Sequence, residues 1–424
     1  MLERRTPIRV NEAIISVMKY AKVGGMENVS LNDAHGRFLA EDLQADHDIP
    51  SFNRSPYDGF AIRSEDTKMA SRAAPVTLEV VGEIGAGSVF QEEVTSGQAV
   101  RIMTGAQIPA GCDAVVMLEL ARTYSHHNRR MVDINRAYQE GDNISFKGEE
   151  TTKGTVLVKK GTYINPGVVA LLATFGYSEV PVSIKPKIGV ISTGSELLHV
   201  DEPLQPGKIR NSNTFMILSQ LERAGAEGVY FGQFADDIEV CYQQVKKALT
   251  EVDFLITTGG VSVGDYDYLP DIYQKMNAQV LFNKIGMRPG SVTTVAEKDG
   301  KLLFGLSGNP SACYVGFELF TRPVIRTYLS HQQPFLKRIT GYLGTDFKKP
   351  NPFTRFIRAT VSFENGRVFA IPAGLDKSSV VSSLADANAL IELPGGSRGY
   401  EKEMEVVIHL LEDQDGCARL EEKE

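Results

Sequence analysis

From Ile188 to Leu329, short apolar β-branched runs alternate with amphipathic segments, and few architectures accommodate that order. The run Ile188-Gly-Val-Ile191 breaks at Ser192-Thr-Gly-Ser-Glu196, which reads as a buried strand ending in a small-residue turn. Helical spacing follows over Thr214 to Ala224, then a short strand from Gly228 to Phe234 and a second helix from Ile238 to Leu249. Another apolar strand, Phe254-Leu-Ile-Thr-Thr258, is closed by Gly259-Gly260. Such an alternation predicts an open, mostly parallel sheet with helices on both faces.

Ligands of these sheets sit outside the carboxyl ends of the strands. Here those ends carry Thr193, Gly194, Ser195 and Glu196, then Gly259, Gly260, Ser262 and Asp267, then Gly308, Asn309, Pro310 and Ser311. Pro310 suits the first turn of a helix running on through Val315 and Leu319, which predicts backbone N–H groups aimed at the crevice and room for a phosphate. A single Gly-rich turn is as well explained as a plain strand-to-helix connection. Three turns in register point to one phosphate-bearing ligand.

The same loops bear Glu196, Asp236, Asp237, Asp265, Asp267 and Asp271, on a chain of 424 residues with a net charge of −8. That charge argues against a nucleic-acid partner. Acids beside a phosphate site call for a hard cation between them, and Mg²⁺ is the natural choice. Asp237 and Asp271 read as caps or solvated charges. After the strand Gln279 to Phe282, Lys284 and Arg288 flank a turn where either could attract an oxyanion.

The remaining chain divides around this domain. Residues 8 to 22 form an amphipathic helix ending before Gly24-Gly25. A loop rich in turn formers and aromatics, Asp48 to Arg63, places Asp58 before Gly59, the usual setting of a turn aspartate. Residues 75 to 117 alternate as in a small β domain, with Thr104 in a Gly/Pro turn, and Glu150 ends a Gly-flanked acidic loop. Beyond Leu329 short alternating strands predict a small β-barrel or sandwich, in which Arg355 and Ser383 could help an anion site but read more readily as scaffold. No apolar run reaches membrane-spanning length and Met1 to Arg5 lacks a leader pattern, so a cytoplasmic protein is expected. The four cysteines, Cys112, Cys241, Cys313 and Cys417, show no metal or disulfide spacing.

Three central segments, Ile188 to Glu196, Thr258 to Asp267 and Gly305 to Pro310, resemble the molybdopterin-binding domain of molybdenum-cofactor biosynthesis proteins. Asn53-Arg-Ser-Pro-Tyr-Asp-Gly-Phe-Ala-Ile62, with Thr104-Gly-Ala106 and Gly111-Cys-Asp-Ala-Val-Val116, is similar to the N-terminal signature of the molybdopterin molybdenumtransferases, the MoeA and gephyrin E-domain family. The resemblance covers nearly the whole chain and implies an N-terminal region over 1-182 with an inserted small β domain, a molybdopterin-binding α/β domain over 183-330, and a C-terminal β-barrel over 331-424.

It further implies insertion of molybdenum from molybdate into adenylylated molybdopterin with Mg²⁺ present and AMP released. Asp58, Thr104, Glu150, Glu196, Asp236 and Asp267 are the implied catalytic residues, with Glu196, Asp236 and Asp267 as the implied ligands of the metal. The implied active molecule is a homodimer whose N-terminal loops complete the partner's crevice, with contact to a molybdopterin adenylyltransferase as a further expectation. Glu150 replaces the family's Asp, Arg288 the first Lys of a Lys-Pro-Gly-Lys-Pro loop, and Ser291 the second. Two rivals stand beside this reading: an ATP-using molybdopterin adenylyltransferase, and a non-catalytic pterin carrier or scaffold.

Overall fold

The computed structural model of the chain describes residues 6–234, 238–259, 269–350 and 352–411. They gather into two compact units, one holding the chain up to Glu41, Lys160–Val169 and everything from Ser178 onward, the other Asp42–Lys159 with Ala170–Tyr177.

The first unit contains a six-stranded sheet in the order Glu227–Phe234, Lys187–Thr193, Phe254–Thr258, Lys301–Leu306, Thr294–Lys298 and Gln279–Phe282. The first four strands pair in parallel, and Thr294–Lys298 alone runs against the rest, pairing antiparallel with both neighbours. Alternation along each strand sorts the core. Ile188, Val190, Phe254, Ile256, Phe304 and Leu306 pack on one face with Ile217 and Leu221 of the helix Asn213–Ala224. Ile191, Leu255 and Leu303 pack on the other with Cys241 and Val245 of Ile238–Glu251 and with Ile272 of Leu269–Lys275. Both faces are therefore covered, as the continuous apolar runs require. Burying a side chain such as Phe304, which is fully enclosed, is worth roughly 1.5–3 kcal/mol.

In the same unit Thr354–Glu364, Arg367–Pro372, Lys337–Leu343, Glu405–Leu410 and Ala389–Leu393 follow one another, and the last pairs back onto the first, closing a five-stranded barrel. Inward-facing Ile357, Ala359, Ile391 and Ile408 fill it. A sixth, two-residue strand, Met287–Arg288, adds to its edge in parallel with Arg288 beside Arg355.

The second unit is built on a sheet in the order Ala114–Met117, Gly59–Ile62, Gln98–Ile102, Val76–Ile84, Arg129–Ile134 and Ala121–His126. Its core is Phe60, Ile62, Leu78, Val116 and Val132 on one face and Ala61, Val100, Ile102 and Val115 on the other. Among the described residues, no helix is long and apolar enough to cross a membrane.

Candidate active site

Two cavities in the first unit flank the loop that follows the strand Lys301–Leu306. One, of about 370 Å³, is lined by Thr193, Glu196, Asn211, Asn213, Thr258, Gly308, Asn309 and Pro310, with Ser379 and Val381 from the barrel domain. The parallel register explains why these residues meet. Ser192 pairs with Thr258 and Thr258 with Leu306, so three strands end level and their turns open on one side. The turns approach closely: a Cβ on Gly259, whose φ is +91°, would lie 2.3 Å from the Thr193 carbonyl oxygen.

Asn213 ties the loops together, donating from Nδ2 to Thr258 Oγ1 and to the Gly308 carbonyl, each at 2.9 Å. Nearby, Asn211 Nδ2 donates to Ser192 Oγ at 3.0 Å while its Oδ1 accepts from the Thr214 N–H at the start of the helix. Thr193 Oγ1 and Asn213 Oδ1 are buried with no hydrogen-bond partner among the described residues. Orphaned buried oxygens in a cavity wall mark a place where a ligand supplies the missing partner. Cys313 lies behind this wall, its Sγ 3.9 Å from Thr258 Oγ1, and burial pushes its thiol up to about 12.

The second cavity, of about 330 Å³, is lined by Arg288, Pro289, Gly290, Ser291, Ser307, Asn309, Arg355, Asp376, Lys377 and Ser378. Its two arginines are register partners, Arg288 on the two-residue strand lying opposite Arg355. Asn309 lines both cavities. The barrel segment bearing Asp376 to Val381 walls both, and Arg358 pins it from behind. That side chain is 1 % exposed and donates to Ser383 Oγ at 2.9 Å and to the Leu375 carbonyl at 3.1 Å.

In the second unit the antiparallel register Gly59↔Ile102 brings the start of one strand and the end of the next to the same sheet edge. Asp58 and Thr104 meet there: Asp58 Oδ1 accepts from the Thr104 N–H at 2.7 Å and from its hydroxyl at 2.9 Å. These bonds hold the exposed Asp58 carboxyl below the usual carboxylate range, the backbone bond contributing most. Gly59 is required beside it because a Cβ would lie 1.9 Å from the Val116 carbonyl oxygen. The loop carrying Glu150 is stitched to the same segment, Glu150 donating its N–H to the Ile49 carbonyl and Arg54 pairing with Ser145.

Of the residues anticipated from the sequence, Thr193, Glu196, Gly308, Asn309 and Pro310 come together in the first cavity and Arg288 in the second. Gly194, Ser195 and Gly259 belong to the same turns without lining either, and Lys284 lines neither. Ser311 departs from expectation: it is fully buried, its N–H donates to the Ser378 carbonyl and its hydroxyl to the Val380 carbonyl, so it braces the barrel segment instead of offering a free amide. Arg355 departs the other way and lines the cavity, whereas Ser383 is scaffold. Asp236, Gly260, Ser262 and Asp267 lie outside the described residues.

Among the described residues no cluster of three His, Cys, Asp or Glu side chains could hold a metal. Arg210 and three asparagines share this wall with Glu196, whose carboxylate is an oxygen ligand of the kind that suits a hard divalent cation such as Mg²⁺. Asn211, Asn213 and the segment 376–378 escaped the sequence reading, and Arg355 reads there as scaffold. A signal existed for the two asparagines, an Asn-x-Asn pair immediately before a helical pattern, and for Arg355, an arginine inside an apolar alternating strand.

Residues 8–176 match the family described as MoeA N-terminal region (domain I and II), residues 189–327 the probable molybdopterin binding domain, and residues 340–411 the MoeA C-terminal region (domain IV). The chain is 57% identical over 416 residues to a molybdopterin molybdenumtransferase of Bacillus subtilis, covering 98% of this chain and 97% of that one. It is 50% identical to a Staphylococcus epidermidis protein of the same name, over 94% of each. A crystal structure of the molybdopterin biosynthesis MoeA protein from Pyrococcus horikoshii OT3 superposes with a TM-score of 0.82 at 33% identity, covering 96% of this chain and 100% of that one.

Proposed function

The chain belongs to the molybdopterin molybdenumtransferases, enzymes of molybdenum cofactor biosynthesis, and from that premise we propose that it inserts molybdenum from molybdate into adenylylated molybdopterin and releases AMP. One observation carries the reading. A cavity at the strand ends and a cavity bearing Arg288 and Arg355 share Asn309, so a pterin nucleotide in the first would have its reactive end beside an oxyanion in the second.

In this reading Thr193, Asn213 and the Gly308 to Pro310 turn bind the phosphate-bearing part of the substrate, their unpartnered oxygens accepting or donating once it is seated. Arg288 and Arg355 attract and orient the tetrahedral oxyanion, the planar guanidinium giving paired N–H donors. Glu196 would hold Mg²⁺ with Asp236 and Asp267; when bound, the ion neutralises phosphate charge and polarises the phosphoanhydride. The Asp58–Thr104 pair is kept anionic by its own hydrogen bonds, which suits a group that positions substrate or water. It belongs to a different compact unit from Glu196, and we assign the active molecule as a cytoplasmic homodimer in which this loop serves the partner's crevice.

The test is to supply purified protein with adenylylated molybdopterin, Mg²⁺ and molybdate and to follow AMP release together with reconstitution of an apo-molybdoenzyme. Molybdate-dependent release of AMP in step with cofactor formation is expected. Adenylyl transfer from ATP to molybdopterin by this chain alone, with no molybdate-dependent AMP release, would replace the reading with an adenylyltransferase.

A further inference from the structure

The cavity lined by Arg288 and Arg355 is assembled as an anion site, yet one of its walls is a carboxylate. Asp376 Oδ2 accepts from Arg355 Nη1 at 2.7 Å, and the two side chains are 9 % and 11 % exposed. The same oxygen stands 3.4 Å from Lys349 Nζ, which also donates to the Asp376 carbonyl at 3.0 Å and is 49 % exposed. One carboxylate oxygen thus has an inner cationic partner at the cavity and an outer one toward solvent. The charged groups lining the cavity are Arg288, Arg355 and Lys377 against Asp376, three positive less one negative, or a balance of two. A tetrahedral dianion matches that balance.

We propose that Asp376 is a specificity-determining residue of this pocket: a resident counter-ion that pairs with Arg355 before an oxyanion arrives and passes to Lys349 when one does. This rests on the oxyanion-pocket reading above and deepens it. A buried positive charge is costly to leave uncompensated, and Asp376 offsets that of Arg355 in the empty pocket. An incoming oxyanion takes over the Arg355 donors and lies close to the displaced carboxylate, whose repulsion grows in proportion to the ligand's charge. That repulsion keeps binding moderate, so the oxyanion is handed on and not trapped. Lys349 eases the exchange by receiving the carboxylate on the outer side.

The test titrates the full-length protein calorimetrically with molybdate and with perrhenate, a tetrahedral monoanion. Asp376→Asn is expected to tighten molybdate binding about tenfold or more, the like-charge repulsion being relieved, with a gain for perrhenate about half as large on a logarithmic scale. Lys349→Gln is expected to weaken molybdate binding in the wild-type background and to have little effect beside Asp376→Asn, the non-additivity of a shared interaction. Asp299→Asn removes the same charge at an 81 % exposed position and should change neither affinity. Unchanged or weaker molybdate binding by folded Asp376→Asn overturns the counter-ion role. Should that variant not fold, Lys349→Gln decides alone, and an unaltered molybdate affinity overturns the handover. Absence of molybdate binding by the wild type, or binding insensitive to Arg355→Ala, overturns the pocket reading itself.

Discussion

The side-chain amide of Asn213 donates to the Gly308 carbonyl at 2.9 Å and through the same nitrogen to Thr258 Oγ1. A buried group on a helix thereby holds two strand-end turns at a fixed spacing. Asn213→Ala leaves the Gly308 carbonyl without this donor and is expected to cost about 1–3 kcal/mol of stability. It should also raise KM for the pterin nucleotide. Denaturant unfolding alongside steady-state kinetics reads both; a destabilised variant with unchanged KM would assign the bridge to folding alone.

Glu196 is exposed and lines the cavity at the strand ends, so its loss should spare the fold. Glu196→Gln is expected to lower AMP release by about 100-fold or more, the scale of removing one electrostatic contributor to a transition state. The variant should need more Mg²⁺ for half-maximal rate, and chelation of divalent ions should abolish wild-type turnover. An unchanged Mg²⁺ dependence in Glu196→Gln counts against its role as a ligand.

Asp58→Asn keeps the shape of the Asp58–Thr104 turn while removing its charge. The amide oxygen can still accept from the Thr104 N–H, so melting should shift little, whereas activity is expected to fall by about 10²–10⁴-fold if the carboxylate acts on substrate or water. Thr104→Val, which removes only the hydroxyl bond, should lie between. Wild-type rates in both variants would return Asp58 to an ordinary turn residue.

Gly259→Ala meets two obstacles at once, a φ of +91° and a carbonyl oxygen 2.3 Å from the new methyl carbon. Backbone, not a flexible side chain, is what must yield. Loss of more than about 2 kcal/mol is expected, since incompatible backbone geometry costs more than the usual glycine effect. A melting curve superimposable on wild type would show that the turn relaxes freely.

In the barrel, a hydrogen bond from His409 at 2.8 Å holds the Glu392 carboxyl below its ordinary value of 4.5, with Arg338 adding to the effect. A carboxylate with a lowered folded-state pKa contributes stability that is fully present above its unfolded value and is lost as pH falls through the folded one. Stability measured by denaturant from pH 7 downward should therefore decline below about 4.5 more steeply in wild type than in Glu392→Gln. Parallel profiles would remove this pair from the acid response.

The central sheet was legible because strands buried on both faces leave unbroken apolar runs such as Ile188 to Ile191, and because the intervening helices have their own period. The barrel strands were legible through alternation. Within the site, legibility followed chain continuity. Thr193, Glu196 and the Gly308 to Pro310 turn end strands that could be recognised, so their convergence followed from parallel pairing. Arg288 and Arg355 meet through a two-residue strand added to the barrel edge, and no periodicity announces a pairing so short between segments so distant. Asp376 lies in an irregular segment whose course is dictated by Arg358 beneath it. The Asp58–Thr104 contact rests on an antiparallel register, and its residues stood out only through their resemblance to a known signature.

Burial drives the Cys112 and Cys313 thiols up to about 12, so both remain protonated at physiological pH. Soft metals are captured by sulfur in its deprotonated form. Under the reaction proposed above, these two side chains stay chemically silent, and the substrate's own sulfurs face no rivalry from them for the incoming atom.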